Sequence, residues 1–486
     1  MTHGFRFGRR GAMLAAGMLL LLLSFGHAFA QTAVPDTPAG KALQGWLAAF
    51  NSGDTAAFRS FVEKNWPAGV KNVDRFMDFR AQTGGFDLRL IEASSTSTKL
   101  TALVQEKKSD TFGRLTLEMD AAQPNQIATL GIRAIPRPPE FALPHLSLGE
   151  LIAALREKLQ KDTAADSFAG AVLIAKDGKP VFSQAYGLAD RERKIPNTVQ
   201  TRFRIGSMNK MFTAVSIMQL AQAGKLKLTD PLGKFVPDYP NKEVAAKVTI
   251  EQMLTHTGGT GDFFGPEFDA HRLELRTLDD YVKLLGKRAP EFEPGSKRAY
   301  SNFGFILLGV VIEKVSGESY YDYVRKHVYA PAGMTSTASE PESQAVANRS
   351  IGYMHDETKG APPDKLVPNT DTLPYRGTSA GGGYSTVGDF LRFANALEQH
   401  KLLDAQHTEL LTTGKVDAGG GRYAYGFADQ TINGLRCFGH SGGAPGMNGD
   451  LEICPGNHTV VVVLANMDPA AASTESDFIT NRLPKQ

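Results

Sequence analysis

Between residues 40 and 80 the apolar positions recur at helical spacing, with Leu43, Trp46, Leu47 and Phe50 three and four residues apart. Asn51-Ser52-Gly53-Asp54 interrupts that run with residues that stop one helix and cap the next, so three helices fit the stretch. From residue 86 to 132 the period falls toward two. Leu88-Arg89-Leu90-Ile91, Leu100-Thr101-Ala102-Leu103-Val104 and Leu115-Thr116-Leu117-Glu118-Met119 read as successive strands. Helices followed by antiparallel strands predict a small α+β unit over residues 31–135. Pro136, Pro138, Pro139 and Pro144 punctuate the next segment, which carries no periodicity and reads as a semi-rigid linker over residues 136–147.

A second unit, residues 148–486, opens with a helical pattern over 148–161. Gly170-Ala171-Val172-Leu173-Ile174-Ala175 and Pro180-Val181-Phe182-Ser183-Gln184-Ala185-Tyr186 follow as strands of a hairpin turned at Lys176-Asp177-Gly178. Helical segments fill the middle, and strands return at 425–438, 450–454 and 459–465. The sheet is therefore built from both ends of the unit, with helices inserted between.

A chain of 486 residues exceeds what one core serves, consistent with two domains. Lys plus Arg total 53 against 51 for Asp plus Glu, which gives no electrostatic reason to expect nucleic acid or an anionic membrane as partner. Arg6, Arg9 and Arg10 precede an apolar run over residues 12–25 and then Ala28-Phe29-Ala30. This order predicts a signal peptide over 1–30 and a periplasmic or secreted protein, because the run is short for the roughly 20 residues of a spanning helix. The two cysteines, Cys437 and Cys454, would face each other if their strands form a hairpin around residues 442–446, as a disulfide or as two buried thiols. Histidines are scattered singly, without zinc-ligand spacing, so no metal is expected.

Phe203-Arg204-Ile205-Gly206-Ser207-Met208-Asn209-Lys210 leads into an apolar segment that predicts a helix buried on nearly every face. Ser207 and Lys210, three apart, share one face about a turn from each other. Burial and the positive end of the helix dipole both disfavour the ammonium, poising Lys210 as a base for the Ser207 hydroxyl. The free N–H at the helix start suits a developing oxyanion. Tyr300-Ser301-Asn302 sits at a loop-to-helix corner after the Pro294-Gly295 turn, with a tyrosine able to relay a proton. His440-Ser441-Gly442-Gly443 ends a strand whose glycines admit close backbone approach.

Ser-x-x-Lys, Tyr-x-Asn and a basic-x-Gly in that order resemble the serine β-lactamase and penicillin-binding superfamily, closest to class C β-lactamases, family VIII esterases and D-specific peptidases. The resemblance covers residues 148–466, reinforced by Leu254-Thr255-His256-Thr257-Gly258-Gly259 and Ala380-Gly381-Gly382-Gly383-Tyr384-Ser385-Thr386, both taken as scaffold turns. It implies a transpeptidase-type fold, an antiparallel sheet flanked by helices plus an all-helical subdomain. It further implies Ser207 as nucleophile, Lys210 as base, Tyr300 as proton shuttle, Asn302 as substrate-orienting amide and Gly443 as second oxyanion N–H beside Gly442. Where many β-lactamases have a lysine, His440 stands. A histidine is only partly charged near neutrality, so carboxylate recognition should be weaker and pH-dependent, favouring an ester or peptide over a β-lactam. No cofactor is implied, and the partner is a small-molecule or peptide substrate. The Trp46-Leu47-Ala48-Ala49-Phe50-Asn51-Ser52-Gly53-Asp54 segment resembles the cone of nuclear-transport-factor-two-like domains, implying an accessory role and an architecture compatible with a homodimer.

Overall fold

The computed structural model describes residues 33–485 except 357, 359–360 and 363–364; the expected signal segment lies outside the described residues. α1 (Pro38–Ser52) begins where the Thr37 hydroxyl accepts the Gly40 N–H at 3.1 Å. It ends where Gly53 adopts φ +72°, a conformation a side chain disfavours. Asp54 caps α2 (Thr55–Asn65), and α3 (Val73–Thr83) follows. Against these helices lies an antiparallel meander, β1 (Phe86–Ile91), β2 (Lys99–Glu106), β3 (Phe112–Met119) and β4 (Ile127–Ile135), paired in chain order. The sequence reading counted three strands. β4 went uncounted although its exposure alternates from Ala128 to Arg133; its inward positions are only half-buried apart from Ile127. Trp46 stacks on Phe50 at 4.6 Å and Phe50 on Phe86 at 5.6 Å, joining helix to sheet. Truncating Phe50 to Ala would cost about 3–5 kcal/mol.

A capping box between Ser147 and Glu150 starts α4 (Leu148–Ala164). The large sheet joins β5 (Gly170–Lys176) and β6 (Lys179–Tyr186) to strands from the other end of the chain. These are β7 (Val416–Asp417), β8 (Arg422–Tyr423), β9 (Ala428–Ile432), β10 (Leu435–Ala444), β11 (Met447–Cys454) and β12 (Thr459–Ala465). Their antiparallel order is β7-β8-β9-β10-β11-β12-β5-β6. The expected single strand over 425–438 is in fact two, because Asn433 and Gly434, at φ +45° and +84°, form a hairpin turn between β9 and β10.

Side chains alternate between the two faces of this sheet. Val461 and Val463 pack under α4 and α8 (Ala471–Thr480) with Leu155 and Ile479. Leu451, Ile453 and Val462 meet α5 (Asn209–Gln222), α6 (Asn302–Ser316) and α7 (Val387–Glu398). Sheet and helices enclose α5, which explains an apolar pattern with no polar side. Cys437 and Cys454, opposite each other on β10 and β11, form a disulfide with Cα atoms 4.2 Å apart. The Asp110 carboxylate ties the N-terminal sheet to both Arg137 (3.2 Å) and Arg482 (2.6 Å). No helix of the described residues is long and apolar enough to cross a membrane.

Candidate active site

Ser207 owes its position to two glycines. Gly206 takes φ +51°, turning the chain out of the short strand Phe203–Arg204 into a 3-10 turn, Gly206–Met208, that leads into α5. Gly442 on β10 lies so close that a Cβ there would stand 2.0 Å from the Ile205 carbonyl oxygen and 3.0 Å from the Ser207 nitrogen. Only backbone meets backbone at that crossing, so the Gly442-Gly443 segment runs beside the Ser207 N–H. Ser207 itself is half-buried.

One helical turn on, Lys210 is completely buried, with Nζ 3.0 Å from Ser207 Oγ. Nζ also donates to Asn302 Oδ1 at 2.7 Å and to the Ala380 carbonyl. Loss of hydration pulls the Lys210 pKa down to about 7, and the nearby Asp262 carboxylate limits the fall. Asn302 Nδ2 donates to both Asp262 oxygens, at 2.9 and 3.2 Å, which turns the amide oxygen toward Lys210. Ser301 caps α6 through the Gly304 N–H, and its own N–H donates to His256 Nδ1 at 3.1 Å.

Tyr300 lies with its ring 4.2 Å from His256 and 4.7 Å from the Lys210 nitrogen. The residue is 40% exposed along the cleft, yet its hydroxyl end is packed near Ser207, and burial raises its pKa so that the phenol keeps its proton. His440 departs from expectation. It is buried, and loss of hydration together with the Lys210 and Arg298 charges drops its pKa to about 3. Its Nε2 is 2.9 Å from the Tyr423 hydroxyl and its Nδ1 contacts the Ser441 carbonyl, which suits a neutral ring donating from Nδ1 and accepting at Nε2. The expected partial positive charge near neutrality is therefore absent.

Residues 155–483 match the family model described as Beta-lactamase. The chain belongs to the beta-lactamase family. Penicillin-binding protein 4* of Bacillus subtilis (strain 168) is 31% identical over 294 residues, 57% of this chain and 64% of that protein. The crystal structure of a penicillin-binding protein from Bacillus halodurans aligns with TM-score 0.59 and 32% identity, covering 66% of this chain and 97% of that one. A D-stereospecific amidohydrolase from Streptomyces sp. aligns with TM-score 0.58 and 26% identity over 68% and 98% of the two chains.

In this beta-lactamase-family protein the two presumed scaffold turns reach the site: Ala380 accepts from Lys210, and His256 braces Ser301 and Tyr300. Asp262, Tyr423 and Arg298 were not singled out in the sequence. None of the three carried a spacing signal, because their partners are distant in the chain: Asn302 for Asp262, His440 for Tyr423 and Tyr423 for Arg298.

Proposed function

We propose that this protein is an exported serine hydrolase that cleaves an ester or amide through an acyl-enzyme on Ser207. The observation that carries the reading is the buried Lys210 amine, 3.0 Å from Ser207 Oγ and with acceptors at Asn302 and Ala380. In the neutral amine those two acceptors take both N–H groups and leave the lone pair for the Ser207 proton. Ser207 Oγ then attacks the acyl carbonyl, and the Ser207 and Gly443 N–H groups hold the oxyanion. Tyr300, still protonated, hands its proton to the leaving group and is reprotonated from Lys210. Water completes the second half by the reverse relay. Asn302, fixed by Asp262, orients the substrate amide, and residues 31–135 serve as an accessory domain joined by the 136–147 linker.

The D-stereospecific amidohydrolase among the structural relatives supports an amide or peptide substrate. The penicillin-binding relatives support a second reading, a penicillin-binding or sensing module that is acylated without turnover, and a third, a β-lactamase or DD-carboxypeptidase. Esters, D-amino acid amides and a chromogenic cephalosporin should be assayed beside Ser207→Ala, with intact-mass measurement over time. Burst and steady turnover of ester or amide is the expected result. A persistent penicilloyl adduct without turnover of any substrate would replace the first reading with the second.

A further inference from the structure

Arg298 stands two residues before Tyr300 and is half-buried, its guanidinium carbon 4.9 Å over the Tyr423 ring. Its Nε is buried without an acceptor, and no carboxylate among the described residues forms an ion pair with it. Tyr300, His256, Tyr423 and His440 all lie within its field. A ladder of rings links it to the reacting centre: Tyr300 to His256 at 4.2 Å, His256 to Tyr423 at 4.8 Å, then Tyr423 to the guanidinium. Removing part of a cation's hydration without supplying a counter-charge is unfavourable, and arginine is suited to taking a carboxylate on two parallel N–H groups. On the other side of the shared Tyr423 contact His440, its Nε2 committed to the Tyr423 hydroxyl, offers no positive charge.

We infer that Arg298 is a specificity-determining residue that receives a substrate carboxylate on the leaving-group side of the scissile bond, the task that the His440 position does not perform. This inference rests on the acyl-enzyme reading, because Tyr300 marks which side the leaving group occupies. Arginine does not titrate in any working pH range, so the preference it confers is flat with pH. A histidine clamp would fade above neutrality.

Two aryl esters of one acyl group test it, the leaving phenol carrying either a meta-carboxylate or a neutral meta-carboxamide. The full-length protein should prefer the carboxylate by about ten-fold in kcat/KM, unchanged from pH 6 to 9. Arg298→Gln should lose most of that preference through KM while the carboxamide ester stays within about two-fold, and Arg298→Lys should recover part of it. No preference in the parent protein, an equal fall for both esters, or a preference that disappears above pH 7 would overturn the assignment. Labelling of Ser207 by a neutral fluorophosphonate is the separate check: its failure in the parent protein would sink the acyl-enzyme reading, whereas labelling that persists in Arg298→Gln shows the nucleophile intact and leaves the ester comparison to decide.

Discussion

The two faces of the large sheet bury ionisable groups in contrasting ways. Toward α5, one amine, Lys210, is stripped of water but keeps a hydroxyl, an amide and a carbonyl within hydrogen-bond distance, and the half-exposed cleft opens beside it. Toward α8, Asp450 and Glu452 from β11 and the half-buried Asp477 from α8 lie within one another's fields, while Glu475, buried on the same helix, faces Lys158. Burial raises all four, Glu475 and Asp477 to about 7. Lys158 reaches Glu475 at 2.8 Å, yet burial outweighs that attraction at the carboxyl, while Lys158, facing Asp162 as well, is held charged. A buried base beside a half-buried nucleophile is poised to exchange a proton with a substrate; the carboxyls beside α8 hold their protons away from the reacting serine. The difference lies in access and partners, since burial is common to both.

The contrast breaks most sharply at the nucleophile. Ser207→Ala should lower kcat/KM by about 10³-fold or more while the melting temperature holds. Asp450→Asn, on the other face, should leave kcat within a few-fold and change stability instead. Equal losses of activity in the two variants, measured beside thermal melts, would erase the distinction.

Next in size is the disulfide that pins β10 to β11 on the α8 face. With the paired cysteines 17 positions apart in the chain, the Cys437→Ser/Cys454→Ser variant should lose about 3 kcal/mol by urea unfolding, with kcat unchanged. A matching fall in kcat would mean that the disulfide also sets the Gly442-Gly443 geometry.

Smaller again is the linkage of the carboxyl cluster to pH. Because Glu475 and Asp477 hold protons in the folded state up to about pH 7, where the unfolded chain has already released them, folding takes up protons. Their contribution is therefore most favourable below about pH 4 and declines as pH rises toward 7. Asp477→Asn removes one such group, so its stability relative to the parent should grow by about 1–3 kcal/mol between pH 4 and 7.5. A constant difference across that range would show the carboxyl unperturbed.

Much of this was legible from residue spacing. The Leu43-to-Phe50 stripe declared α1, the three-residue interval declared that Ser207 and Lys210 share a face, and the order of three motifs declared the family. Asn433-Gly434 was a readable hairpin signal, hidden only by apolar residues on both sides that ran together as one strand. The charge of His440 was of another kind. Its identity is in the sequence, but its protonation depends on burial and on Tyr423, Lys210 and Arg298, which only tertiary structure brings to it. Asp262 and Arg298 sit in loops without periodicity, where no spacing rule announces a partner.

The smallest expected effect sharpens the comparison at its most delicate point, the poise of Lys210. Acylation requires the neutral amine, so kcat/KM for an uncharged ester should rise with pH and reach half its plateau near pH 7. Asp262 attracts the ammonium form and so raises the Lys210 pKa against the effect of burial. Asp262→Asn removes that attraction while leaving an oxygen for the Asn302 amide, and should move the rising limb about half a unit toward lower pH with the plateau lowered only a few-fold. Asp477→Asn, on the far face, should not move it at all. A limb that shifts upward in Asp262→Asn, or one that shifts equally in both variants, would mean that Lys210 is not the group whose ionisation the profile reports.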